Sequence, residues 1–176
     1  MSKGSVIIRG FHERPELEAP VQTGCDYYNT NLNRRFMQGH TLAGVGGTNN
    51  IIILQNDGVG GEQLLVEEIR IRAGAATNVL LGTYGIAAAA QAFGANLRIG
   101  GAASIIGRIY DAQPANLANV TTAINLYGEL VPGANAYMEL PHFGIIVENG
   151  TRFCVTLGLQ ATALWVTFRW REIETA

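Results

Sequence analysis

The chain has 176 residues, of which only 15% are charged; it carries 22 glycines and a formal net charge of −2. That length suits one domain with a full core and needs no disulfide or metal staple. The charge balance excludes the basic stripe expected of a nucleic-acid binder, and no apolar run reaches the ~20 residues of a membrane span.

Residues 1–40 lack a hydrophobic period apart from Val6-Ile7-Ile8. Pro15 and Pro20 disfavour a helix interior or a central strand. Phe11, Tyr27, Tyr28 and Phe36 make the segment too aromatic for an ordinary disordered tail. An extended N-terminal arm that orders against its own domain or a neighbour is expected, with a loop-rich cap as the alternative. Met1 to Arg9 offers no signal-peptide h-region of useful length, which predicts a protein kept in a cytosol or in an assembly built there. In that compartment no Cys25–Cys154 bridge is expected, and the two cysteines match no metal or redox spacing.

Residues 41–176 read as β structure. Ile51-Ile52-Ile53-Leu54 is a β-branched run that ends at the turn signal Asn56-Asp57-Gly58. Gln63 to Arg72 reads as a strand whose Leu65, Ile69 and Ile71 share a face with Glu67. A further strand is expected over Asn78–Thr83. Ile86–Phe93, with four consecutive alanines, predicts a short helix because alanine has the best intrinsic propensity. Ser104–Tyr110 and Ala123–Val131 are strand candidates separated by a surface loop over Asp111–Thr122. Further on, Asn149-Gly150 sits between two apolar runs and predicts a tight type I′ hairpin. After it, Phe153, Val155 and Leu157 alternate with Arg152, Cys154 and Thr156. In the last run Leu164, Val166, Phe168 and Trp170 alternate with Trp165, Thr167, Arg169 and Arg171. A period of two means a sheet with one buried face.

The pattern predicts an all-β fold: an antiparallel sandwich, jelly-roll-like, at 41–176, with the extended arm at 1–40. An immunoglobulin-like sandwich is the runner-up, but its Cys and Trp spacing is absent. No chemistry stands out. His12, His40 and His142 show no ligand spacing, and the glycines at 44–47 and 58–61 read as turns rather than phosphate loops. Glu67 and Glu68, adjacent in a strand, are expected on opposite faces. No catalytic, cofactor or metal site is therefore predicted. Trp165, beside Arg169 and Arg171, reads as an interface anchor, or alternatively as a platform on which a sugar ring stacks. The candidate interface comprises Tyr27, Tyr28, Arg34, Arg35, Phe36, Trp165, Arg169 and Arg171.

The stretches Leu130-Val131-Pro132-Gly133, Leu140 to Thr156 and Trp165-Val166-Thr167-Phe168-Arg169-Trp170-Arg171-Glu172 resemble the closing strands of small jelly-roll virion proteins of tailed bacteriophages. The shared features are a Gly-Ile-x-Val-x-x-Gly-Thr-x-Phe segment and a final alternating strand with Trp-Arg-Glu. The segment Glu62 to Ala76 resembles an early strand of the same group. The resemblance covers the last two-thirds of the chain. It implies a non-enzymatic virion protein, assembled in the host cytoplasm, of the capsid decoration or cement type. Its implied partners are the major capsid protein and other copies of itself in a homotrimer, with no nucleic acid and no membrane. A receptor- or glycan-binding module of a fibre, tail or baseplate is the alternative.

Overall fold

The computed structural model describes residues 34–97, 101–131 and 137–174. Most of the expected arm, with Tyr27, Tyr28, Cys25 and His12, lies outside the described residues. Among the described residues, eleven strands and no helix make up the fold. They are β1 (Arg35–Leu42), β2 (Ile51–Asn56), β3 (Glu62–Ala73), β4 (Thr77–Tyr84), β5 (Ala89–Phe93), β6 (Ala95–Asn96), β7 (Gly107–Ala112), β8 (Val120–Val131), β9 (Met138–Val147), β10 (Arg152–Leu157) and β11 (Leu164–Glu174).

Two antiparallel sheets face each other, one ordered β6-β1-β11-β3-β9 and the other β5-β7-β2-β10-β4-β8. With β5, β6 and β7 set aside as an insertion between β4 and β8, each sheet has four strands. Successive strands of these eight cross from one sheet to the other, except that β8 lies beside β4. This is jelly-roll connectivity. Among the described strands none is paired with its immediate neighbour in sequence.

Several expectations are corrected here. β1 spans Arg35–Leu42 and pairs with β11, so residues 35–40 belong to the sandwich and not to an arm. The Asn149-Gly150 signal marks a real turn, with Thr151 N–H donating to Glu148 O at 2.9 Å, but not a hairpin. It carries the chain from β9 in one sheet to β10 in the other. Gly150 has φ +72°, and Ala161 is the only non-glycine residue at positive φ among those described. The turn therefore needs one left-handed residue, as type II does, and not two as in type I′. The alanine-rich run is no helix: β5 pairs with β7 at a sheet edge. A helix that short does not hold itself together, so an available ladder outweighs alanine's propensity.

β3 shows the largest departure. Arg169 pairs with Glu68 and Trp170 with Val66, so Glu67 is one residue too many for its partner strand, a β-bulge. The side-chain alternation therefore changes phase at Glu67. Leu64 and Val66 join Ile69 and Ile71 in the core, each 0% exposed, and Leu65 turns outward.

The core between the sheets is centred on β11, where Leu164, Val166, Phe168 and Trp170 all face in as expected. Phe36 stacks on Trp170 with ring centroids 6.1 Å apart, and Phe153 meets Phe168 edge-on at 6.0 Å. The far face of the second sheet is also covered. Ile51, Ile53, Tyr84 and Cys154 form a smaller cluster there under Ala88, Tyr110 and Leu117. β2 and β10 are thus buried on both sides.

Buried asparagines tie the loops at each end of β2. Asn56 donates to Glu62 O at 2.8 Å and Val147 O at 3.1 Å, and its Oδ1 accepts from Gly58 N–H at 2.9 Å. Asn50 donates to Thr162 O at 2.8 Å and accepts from Gln113 at 2.7 Å. Each satisfies backbone groups that would otherwise be buried without partners.

The insertion seals the side of the sandwich where β1 and β2 would leave open edges. β7 pairs with β2 and β6 pairs with β1, so the short insertion reaches both sheets. Gly94 and Gly107 close over the Trp170 indole; an added Cβ would lie 2.2 Å and 2.5 Å from its atoms. Gly107→Ala is therefore expected to cost about 1–3 kcal/mol by overpacking. Gly46→Ala, with nothing within 4 Å of its added Cβ, should be near neutral. Urea midpoints of both variants check this; equal midpoints would contradict it.

Candidate functional site

The outer face of the five-stranded sheet gathers most of the candidate interface residues. Register places them in rows across β1, β11, β3 and β9. One row is Thr41, Trp165 and Arg72, with Tyr137 just before β9. The next is Gly39, Thr167, Arg70 and Glu139, followed by Met37, Arg169, Glu68 and Pro141. The last holds Arg35, Arg171, Leu65 and Ile146.

The bulge places both Glu67 and Glu68 on this face, against the expectation that they point apart. Arg35 clasps Glu67 through two hydrogen bonds, Nε to Oε2 at 2.9 Å and Nη2 to Oε1 at 3.0 Å. Such a fork is the strongest geometry an arginine offers a carboxylate. Arg171 reaches the same carboxylate at 3.3 Å and Arg169 at 3.7 Å. Glu68 accepts from Arg70 Nε at 2.5 Å and from Arg169 Nη1 at 3.4 Å. That bond to Glu68 raises the Arg70 pKa and keeps its guanidinium charged. Five arginines (35, 70, 72, 169, 171) meet three glutamates (67, 68, 139), an excess of two positive charges. The chain as a whole carries −2. Arg169 Nε and Arg171 Nε are buried without hydrogen-bond partners. Both guanidiniums border a cavity of about 480 Å³ lined by Arg35, Leu65, Glu67, Glu68, Arg169 and Arg171.

Of the predicted interface residues, Arg35, Trp165, Arg169 and Arg171 lie on this face and Arg34 is exposed at its margin. Phe36 does not belong to the interface. It points into the core at 2% exposure, because the alternation that turns Arg35 outward turns its neighbour inward. Tyr27 and Tyr28 lie outside the described residues. Sequence reasoning missed Glu67, Glu68, Arg70, Arg72 and Tyr137. The charge pattern of Glu67–Arg72 was a usable signal, but the bulge concealed which of those residues share a face.

Elsewhere, His40 Nε2 lies 2.8 Å from Asp111 Oδ2, linking β1 to β7. Among the described residues no three His, Cys, Asp or Glu side chains converge as a metal site. Burial pushes the Cys154 thiol up to about 12. It is therefore protonated and unreactive at neutral pH. In a Cys25→Ser variant, a thiol reagent should label Cys154 only after denaturant is added; rapid labelling of folded protein would contradict this burial.

Burial also raises the Glu172 carboxyl, which accepts a hydrogen bond from Ser104 Oγ. The folded state thus holds this proton more tightly than the unfolded chain. The stability it contributes is fullest below the ordinary carboxylate range and is lost as pH rises through the raised folded value. Glu172→Gln removes that loss. Its urea midpoint relative to the parent should improve between about pH 4 and about pH 7; an unchanged difference would contradict the assignment.

No protein-family model, curated protein or solved structure matches this chain.

Proposed function

We propose that the chain is a non-enzymatic virion structural protein, a decoration or cement protein that binds and stabilises the major capsid lattice of a tailed bacteriophage. The observation that carries this reading is the outer face of the five-stranded sheet, at its Arg35–Glu67–Arg169–Arg171 end. The surface there is broad and held rigid by cross-strand charge pairs. It is bordered by the exposed apolar side chains Met37 (41%) and Ile146 (50%). Arginine, methionine and aromatic residues are what protein interfaces select. Arg169 and Arg171 contact Glu67 and Glu68 at 3.3–3.7 Å, longer than a good charge-assisted bond. They retain donors for carboxylates on a partner lattice.

On this reading, neighbouring capsid subunits are bridged by one or more copies of the chain, and a homotrimer would multiply the contacts through avidity. Binding to capsid shells assembled from the major capsid protein of the same genome, measured by co-sedimentation, tests it. The parent chain should sediment with shells, and Arg169→Glu/Arg171→Glu should weaken that by about tenfold or more, since truncating charged interface contacts costs 2 kcal/mol or above. A parent chain that stays in the supernatant would overturn the proposal.

A further inference from the structure

At the opposite end of the same face, Trp165 and its neighbours form a groove. The Arg72 guanidinium lies 4.7 Å from the Trp165 ring centroid, which fixes that indole in orientation. Tyr137, the next residue along this row, is 65% exposed. Gly39, without a side chain, sits directly across from Thr167, whose Oγ1 lies 3.0 Å from where a Cβ on Gly39 would stand. A cavity of about 500 Å³ opens there, lined by Gly39, Thr41, Arg72, Tyr137, Trp165 and Thr167. A second, of about 350 Å³, shares Arg72, Tyr137, Trp165 and Thr167 with the first and extends to Arg70 and Glu139. The two are halves of one furrow running across the sheet.

We infer that this furrow is a carbohydrate-binding site. A pyranose ring has an apolar C–H face and a rim of hydroxyls. The C–H face suits the negative face of an aromatic ring, and the hydroxyls need donors and acceptors close by. Trp165 and Tyr137 supply the rings, Arg72 donates, Glu139 accepts, and Thr41 and Thr167 do both. An isolated tryptophan would be weak support for sugar binding; here a second, exposed aromatic and a polar rim lie beside it. Two strand spacings separate the Trp165 and Tyr137 positions, roughly 10 Å. That distance engages successive rings of one oligosaccharide rather than both faces of a single ring. A phosphate-tracking groove is disfavoured because Arg70 is already engaged by Glu68 and Glu139. This site does not depend on the capsid reading, since the furrow and the Arg169–Arg171 cavity use different side chains.

The chain contains two tryptophans, and Trp170 is 0% exposed, so a ligand-induced change in emission reports on Trp165. The full chain is titrated with neutral hexasaccharides, uronic-acid oligosaccharides and a short single-stranded DNA. At least one saccharide is expected to shift the emission. Calorimetry with that saccharide should show Tyr137→Ala and Trp165→Ala each weakening binding about tenfold or more. Tyr137→Ala, at an exposed position, should leave the melting temperature unchanged. The inference is overturned if no saccharide shifts emission at millimolar concentration, if both variants bind like the parent, or if only the oligonucleotide binds.

Discussion

β3 holds one residue more than β11 can pair, and the rest of the molecule depends on where that residue goes. By bulging at Glu67 the strand keeps Leu64 and Val66 in the core together with Ile69 and Ile71. Burying two such side chains contributes about 3–6 kcal/mol, whereas the interrupted ladder costs about one hydrogen bond, near 1 kcal/mol. Burial wins. The consequence on the other side of the sheet is chemical. Two adjacent carboxylates emerge on one face, where Arg35, Arg70, Arg169 and Arg171 converge on them. A regular strand would have sent Glu67 and Glu68 to opposite faces and one of them into the core, where an unpaired charge is not tolerated.

The alternation of β11 was fully legible, because a strand that packs one face on the core keeps its period from Leu164 to Trp170. The jelly-roll class followed from the number of short strands and the lack of strand–helix alternation. Pairing was less legible. Asn149-Gly150 specifies a local reversal of the chain, yet the turn alone does not choose which ladder the next strand joins. That choice is made by β2 and β4, which bracket β10 and bury Cys154 and Val155 from both sides. The alanine run was misread for a related reason: propensity is local, and the open edge of β7 is not.

The face itself was half visible. Trp165, Arg169 and Arg171 come from one regular strand and could be placed together from sequence. Phe36 could not be separated from Arg35 without knowing where β1 starts, and Glu67, Glu68, Arg70 and Arg72 lay beyond the phase change. Tyr137 joins them only through β9, some seventy residues along the chain from β3. Long-range pairing of this kind leaves no periodic trace. It also ties the surface together, since its charge pairs span four strands, β1, β11, β3 and β9.

The central claim is that the chain works through this face rather than through its loop ends, where Val59 is 97% and Ile105 80% exposed. Hydroxyl-radical footprinting of the full chain, free and bound to capsid shells, separates the two surfaces by side-chain oxidation. Protection of Met37 and Ile146 with Val59 and Ile105 still oxidised is the result this account predicts. Protection confined to Val59 and Ile105, with Met37 and Ile146 oxidised as in the free chain, would contradict it.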